Sequence, residues 1–269
     1  MNNVELYHKN NILQRSGAIK HLEDYRNVIE WRNEACILDI GCGDGSLTVD
    51  LIRNTVPHYK KLIGCDINKD MIQFANKYYS SENVDFVVFD IAGDLSDHFR
   101  NQFHHVFSFY ALHWVQNQEK AFQNIYDLLD KTGDSLMVFV GQASFYDAMG
   151  KLAQTKRWSK WLKDVKKFQS PYHDSQDPEK QIKEMLSKIG FTKVELQYKP
   201  ISFEYESIEA LRGGLKAIIP FKIPDDLFDE FLNDMLQEMQ LADSKKYNFK
   251  KSVSECIHNF QVFFLYVKK

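Results

Sequence analysis

Gly41, Gly43 and Gly45 stand together in ILDIGCGDGS (residues 37–46), Asp66 closes KLIGCD, and Asp90 closes VVFD. Glycines at a strand-to-helix turn let the backbone bend sharply and let a ligand approach the main chain. A carboxylate at the end of the next strand can accept hydrogen bonds from both hydroxyls of a ribose. Asp90, one strand further on, can accept from an adenine amino group, with Ile67 and Ile91 as apolar walls beside the two acids. Either acid alone reads equally well as a turn or helix-capping residue. Two at successive strand ends after a glycine triplet point to a bound nucleoside. A dinucleotide fingerprint needs a further glycine where this chain has Ser46. The spacing therefore favours S-adenosylmethionine (SAM), which has no pyrophosphate to set on the helix N-terminus.

A second set of residues suits an acceptor. FSFYALHWV places His113 and Trp114 just past a strand's carboxyl end. Trp114 can donate its indole N–H to an acceptor oxygen or simply pack the following helix; His113 reads as direct chemistry or as support. In LYHKNNILQR, Tyr7 and Gln14 share a face if the segment is one helix, and a Gln14 amide can hold a carboxylate without neutralising it; a solvent-facing glutamine is the plainer alternative. In TKRWSKWLKDVKKF (155–168), Trp158, Trp161, Leu162, Val165 and Phe168 recur at helical spacing, with lysines on the other surface. Such a helix covers an apolar cavity, lies on a membrane surface, or packs on the sheet. LKAIIPFKIPDDLFDEFL adds Ile219, Phe221 and further apolar residues. Together with Phe145 and Tyr146, the two segments suggest an enclosed apolar substrate pocket.

Positioning these groups requires alternating elements. Apolar spacing predicts a helix over 17–31, then strand and helix alternate: ACILDIG, GSLTVDLIRNTV, KLIGCD, DMIQFANKYYS, VDFVVFD, HHVFSFYALHW, a helix over 118–129, and SLMVFVG. This is the pattern of an α/β, Rossmann-like, doubly wound sheet with ligands at the strands' carboxyl ends. After Gly141 the alternation stops. Residues 142–189 read as helical around the polar loop SPYHDSQDPEK, two late strands fall near 193–205 and 259–267, and a helical insert separates them. The expectation is a single domain over 1–269, with a SAM-binding core at 35–141 and helical substrate-lid insertions at 142–189 and 207–242. The net charge of −3 argues against a general nucleic-acid binder. The chain has no long apolar run for stable membrane insertion, and its four cysteines and nine histidines show no metal-ligand spacing. A cytoplasmic protein acting on a small molecule without a metal is the economical reading; oligomeric state is not legible.

DIGCGDG, CDIN and FDIAGDL resemble the class I SAM-dependent methyltransferases over residues 35–141. That resemblance implies a seven-stranded, mostly parallel sheet of order 3-2-1-4-5-7-6 with the last strand reversed. It sets Tyr7, Asp39, Gly41, Gly43, Asp66, Ile67, Met71, Asp90 and Ile91 at the cofactor, with Ser108 and Phe109 bordering its methionine portion. Over essentially the whole chain, MNNVELYHKNNILQR, FSFYALHWV, SPYHDSQDPEK and AIIPFKIP are similar to the juvenile hormone acid methyltransferases of insects. Ile219 stands where that similarity leads one to expect asparagine, which bears on pocket polarity. The similarity implies methylation of the carboxylate of farnesoic acid or juvenile hormone acid, giving the methyl ester and S-adenosylhomocysteine, with Gln14 and Trp114 orienting the carboxylate. Another small acid such as a fatty acid, and a non-catalytic binder of SAM or a terpenoid, are the alternatives; Ser46 disfavours an NAD-dependent oxidoreductase.

Overall fold

Leu38, Ile40, Leu62 and Cys65 are buried in consecutive parallel strands, as expected of short apolar runs bounded by glycine turns. The computed structural model describes residues 3–56, 58–247 and 256–269. Strands β1 (Ala35–Ile40), β2 (Tyr59–Asp66), β3 (Val84–Val88), β4 (Phe103–Phe109), β5 (Leu129–Ala143), β6 (Lys193–Glu204) and β7 (Ile257–Lys268) form one sheet of order β3-β2-β1-β4-β5-β7-β6. The first five are parallel neighbours. β7 runs against both strands beside it. Thr192 N–H donates to the Lys268 carbonyl at one end of the β6–β7 pair and Tyr205 N–H to the Cys256 carbonyl at the other, while Lys269 N–H reaches Gly133 at the start of β5. Order and reversal are those expected.

The helices are α1 (Val4–Asn10), α2 (Ile12–Tyr25), α3 (Lys69–Tyr79), α4 (Gln118–Leu128), α5 (Ser144–Leu152), α6 (Pro178–Ile189), α7 (Ile208–Ile218) and α8 (Asp225–Ala242). Among the described residues no helix is long and apolar enough to cross a membrane. The chain divides into two compact units.

The first unit comprises Gln14–Phe139, Gln176–Tyr198 and Phe263–Lys269. Its core includes Ile37, Val106, Phe107, Phe122, Met137, Phe139 and Phe263, and each such side chain contributes roughly 1.5–3 kcal/mol of hydrophobic stabilisation. Asn68 caps α3 by accepting from the N–H groups of Asp70 and Met71, and Asn117 caps α4 by accepting from Lys120 N–H. A buried polar set lies at the start of β4: His105 Nδ1 is 2.8 Å from Asp134 Oδ1, and Tyr266 Oη donates to Asp134 Oδ2.

The second unit comprises Met1–Leu13, Val140–Ser175 and Lys199–Val262. The PYHD loop has a structural clasp here: Asp147 on α5 receives His173 Nε2, Lys246 Nζ and Tyr247 Oη. Burial pushes the Asp147 carboxyl up, but these donors outweigh it and bring the pKa down to about 2.

Four local expectations are corrected. The helix predicted over 17–31 is α2, which starts at Ile12 and ends at Tyr25, where Val28 and Ile29 N–H both turn back onto the Tyr25 carbonyl. The N-terminal segment is not one helix: α1 ends at Asn10, and Asn11 leaves helical geometry (φ −90°, ψ 22°). Tyr7 and Gln14 therefore lie on separate helices rather than on one face. The helix after the glycine loop widens into π-helical turns over Thr48–Arg53, a distortion often found near functional sites. Finally, 155–168 is a chain of turns ending in a short 3-10 helix, Val165–Phe168. Asp164 in left-handed geometry (φ 55°) breaks any continuous face, and Trp158, 1% exposed, is drawn inward to donate to Asp234 and pack on Phe231.

Candidate active site

The glycine loop is built by positive φ angles of 72° at Gly41, 56° at Gly43 and 79° at Gly45. At Gly41 space also demands glycine, because a Cβ would sit 2.1 Å from that of Ala111. The loop hangs from β2: Gly41 and Cys42 N–H donate to the Cys65 carbonyl and Gly43 N–H to Asp66 Oδ2 (3.1 Å). Asp66 Oδ1 accepts from Asn68 N–H (2.8 Å). Burial raises the Asp66 pKa, and the backbone donors from Asn68 and Gly43 oppose that shift. Each carboxylate oxygen retains a lone pair after these bonds.

Asp39 lies beneath the loop. It is buried and accepts from Thr48 Oγ1 at 2.5 Å, and burial pushes its carboxyl up to about 7. It thus ties β1 to the π-helical turns. Ser46 donates through both N–H and Oγ to Asp44 Oδ1, closing the loop on its far side.

At the β3 end Asp90 is exposed and accepts from Ala92 N–H at 2.9 Å, while Ile91 is buried. Asn124 of α4 fixes this turn by donating to the carbonyls of Ile91 (2.7 Å) and Gly93 (2.8 Å). Ile67 is 67% exposed although apolar, and Met71 on α3 is buried. The donor set fits an adenosyl group: Asp66 and Asp90 as acceptors, Ile67 and Ile91 as apolar neighbours. Ser108 donates to the Ile40 carbonyl at 3.0 Å, tying the end of β4 to that of β1 beside the buried Phe109.

Beyond β4 the chain makes a strained exit, since Tyr110 holds φ 56°, unusual for an aromatic residue. Its phenol packs against Gly17 on α2, where a Cβ would lie 2.1 Å from Tyr110 Oη. Gly17 is one helical turn past Gln14. Gln14 is half-buried, and its Oε1 is buried without a protein partner. Gly17→Ala is expected to push α2 away from Tyr110 and cost about tenfold in kcat/KM for methyl transfer, with Tyr110→Ala restoring part of it in the double variant. An unchanged kcat/KM in Gly17→Ala would show that the seat of α2 on Tyr110 is irrelevant to turnover.

His113 and Trp114 occupy the 3-10 turn Leu112–Trp114, with ring centroids 5.0 Å apart. Burial holds the His113 pKa down to about 3, so the imidazole is neutral near pH 7 and too weak a base for general-base work. Trp114 is half-buried. The turn is held by Gln118, whose Nε2 donates to the carbonyls of Leu112 (2.8 Å) and Val115 (2.6 Å). In the second unit, Tyr7 is half-buried on α1. Phe145 and Tyr146 form one edge-to-face pair, Trp158 and Trp161 another cluster, and Phe221 packs on Phe168; Ile219 is buried.

Asn68, Asn124, Gln118, Tyr110 and Gly17 were not singled out from sequence. Asn68 was visible as a helix cap following CDI; the others act across long sequence separations and have no local signature.

Comparison with known proteins gives the family and the fold. Residues 37–133 match the family model described as a methyltransferase domain. The chain is similar to the juvenile hormone acid O-methyltransferase of Bombyx mori, 40% identical over 100% of this chain and 98% of that protein. The enzyme of the same name from Drosophila melanogaster is 35% identical over 88% of this chain and 82% of its own length. Among solved structures, YcgJ of Bacillus subtilis shares the fold with a TM-score of 0.64 at 18% identity, covering 93% of this chain and 98% of that one.

Proposed function

The chain belongs to the juvenile hormone acid O-methyltransferase family, and from that premise we propose that it esterifies the carboxylate of a lipophilic terpenoid acid, of the farnesoic or juvenile hormone acid class. It is a SAM-dependent methyltransferase acting on a small molecule. When bound, SAM supplies a methyl group already activated by its sulfonium. The products are the methyl ester and S-adenosylhomocysteine.

The observation that carries the acceptor assignment is Gln14, a half-buried amide whose Oε1 is buried without a partner in the unit that holds the glycine loop. Asn and Gln amides are assigned by their hydrogen bonds, so turning this amide presents its NH₂ to a carboxylate. Trp114 adds an indole N–H. Two neutral donors orient a carboxylate without neutralising it, whereas a cationic clamp spends binding energy on the ground state. The acid is ionised near pH 7, so the chain has no proton to remove, which agrees with the neutral, buried His113. The chemistry asks for no metal. Alignment and exclusion of water account for roughly 7–11 kcal/mol of barrier reduction in favourable cases.

In this reading Asp66 holds the ribose hydroxyls and Asp90 the adenine amine. Ile67, Met71 and Ile91 line the base; Asp39, Gly41, Gly43, Ser108 and Phe109 complete the cofactor's surroundings. Segments 142–189 and 207–242 serve as the substrate-covering insertions. Within the second unit, Phe145, Tyr146, Trp158, Trp161, Ile219 and Phe221 provide apolar surface of the kind that suits a hydrocarbon chain, at roughly 25 cal/mol per Å² buried. The acceptor is a free acid in the cytoplasm rather than nucleic acid or a membrane-bound molecule.

Farnesoic acid labelled with ¹⁸O in its carboxyl group tests the assignment. The expected product is a methyl ester retaining both labelled oxygens. Loss of one would mean that the acid is activated at carbon; no ester would remove the acceptor assignment.

A further inference from the structure

Asp90 stands on a turn that does little to hold itself. Its Oδ1 accepts from Ala92 N–H and its carbonyl from Gly93 N–H, both at 2.9 Å. Those bonds are local and Asp90 is exposed, so water competes for them. Beyond the turn, residues 91–102 hold one short 3-10 helix, Asp97–Phe99, before β4 begins. A carboxylate that recognises a base needs a fixed direction as well as a charge, and that direction comes from the groups behind it.

α4 supplies that group. Asn124, 0% exposed, donates through Nδ2 to the carbonyls of Ile91 (2.7 Å) and Gly93 (2.8 Å). It therefore grips the residues on either side of Ala92, whose N–H aims Asp90 Oδ1. The Asn124 Oδ1 is buried with no hydrogen-bond partner. An unpaired buried oxygen costs stability, and leucine, with nearly the same shape, would avoid that cost; the two N–H groups are what this position retains. Gln118, also buried on α4, offers a contrast: its Nε2 donates to the carbonyls of Leu112 and Val115, on the turn that carries His113 and Trp114. One helix thus bears two amides that clamp two different turns, all within the first unit.

We propose that Asn124 is a positioning residue that sets selectivity for an adenine base, by holding Ile91 and Gly93 so that the Asp90 carboxylate faces the exocyclic amine. The proposal rests on the reading of Asp90 given above, and what it adds is the residue that aims the carboxylate. Without the amide, the Ile91 carbonyl is left buried and unpaired, so the turn shifts to hydrate it and carries Asp90 off line. Asp66 is anchored separately, through Gly43 and Asn68 N–H, so ribose recognition survives and the loss falls on the base.

The test is calorimetric titration of the full chain with S-adenosylhomocysteine and with its analogue carrying hydrogen in place of the exocyclic amine. Wild type is expected to prefer S-adenosylhomocysteine by about tenfold or more. Asn124→Leu should bring that preference below about threefold while binding the analogue within about threefold of wild type. Gln118→Leu, which removes a buried amide from the same helix, should keep the wild-type preference. Adding Asn124→Leu to Asp90→Ala should change either affinity by less than about twofold, because residues that act through one group are not additive. A wild-type preference retained in Asn124→Leu, an equal loss in Gln118→Leu, or additive losses in the double variant overturns the proposal and leaves Asn124 a packing residue. If Asn124→Leu fails to fold, Asn124→Ser, which keeps one donor, decides: a lowered preference supports the role and a wild-type preference overturns it. No preference in wild type, or a full preference in Asp90→Ala, overturns the reading of Asp90 and the proposal with it; a preference lost in Asp90→Ala but kept in Asn124→Leu overturns the proposal alone.

Discussion

Asp66→Ala is expected to weaken SAM binding by about 100-fold or more, measured by titration calorimetry against SAM and S-adenosylhomocysteine. The carboxylate has two tasks in this account. It anchors the loop by accepting from Gly43 and Asn68 N–H, and its remaining lone pairs receive the ribose hydroxyls. A hydrogen bond to a charged group is worth roughly 1.5–3 kcal/mol, so losing two ligand bonds alone corresponds to about two to four orders of magnitude in affinity. The ligand-free variant should still unfold cooperatively, because most of the first unit's core lies away from this loop. A loss of less than about threefold would show that Asp66 does not touch the ribose.

Gln14→Ala is expected to do the opposite: SAM affinity within about threefold of wild type, and kcat/KM for the acid down by about 100-fold. The contrast follows from their partners. Asp66 is bonded to the glycine loop, whereas the buried Oε1 of Gln14 has no protein hydrogen-bond partner. Severe loss of SAM binding by Gln14→Ala, comparable to that of Asp66→Ala, would contradict the division of roles.

The parts of this molecule legible in its sequence are those governed by local rules. Buried parallel strands read as short apolar runs, so β1 to β4 emerged almost in full, and positive φ at Gly41, Gly43 and Gly45 follows from residue type. Asp66 and Asp90 stood out because acids at two successive strand ends follow the glycine triplet. What escaped notice depends on distant partners. Trp158 has helical spacing with Trp161 and Val165, yet its bond to Asp234 and packing on Phe231 govern the segment. The break at Asn11 separates Tyr7 from Gln14 although the intervening residues permit a helix. Asn124 reads as an ordinary helix-surface residue until its amide is seen holding the Asp90 turn. His258 occupies what looks like a plain strand start, and only the lack of hydrogen-bond partners at its ring nitrogens sets it apart.

Methyl transfer from labelled SAM to farnesoic acid, run beside palmitic acid and a polar dicarboxylic acid, tests the central claim most directly. The account predicts labelled methyl ester from farnesoic acid, at a kcat/KM well above that for palmitic acid, and none from the dicarboxylic acid. SAM bound normally with no ester from any of the three, or ester formed best from the dicarboxylic acid, would contradict it.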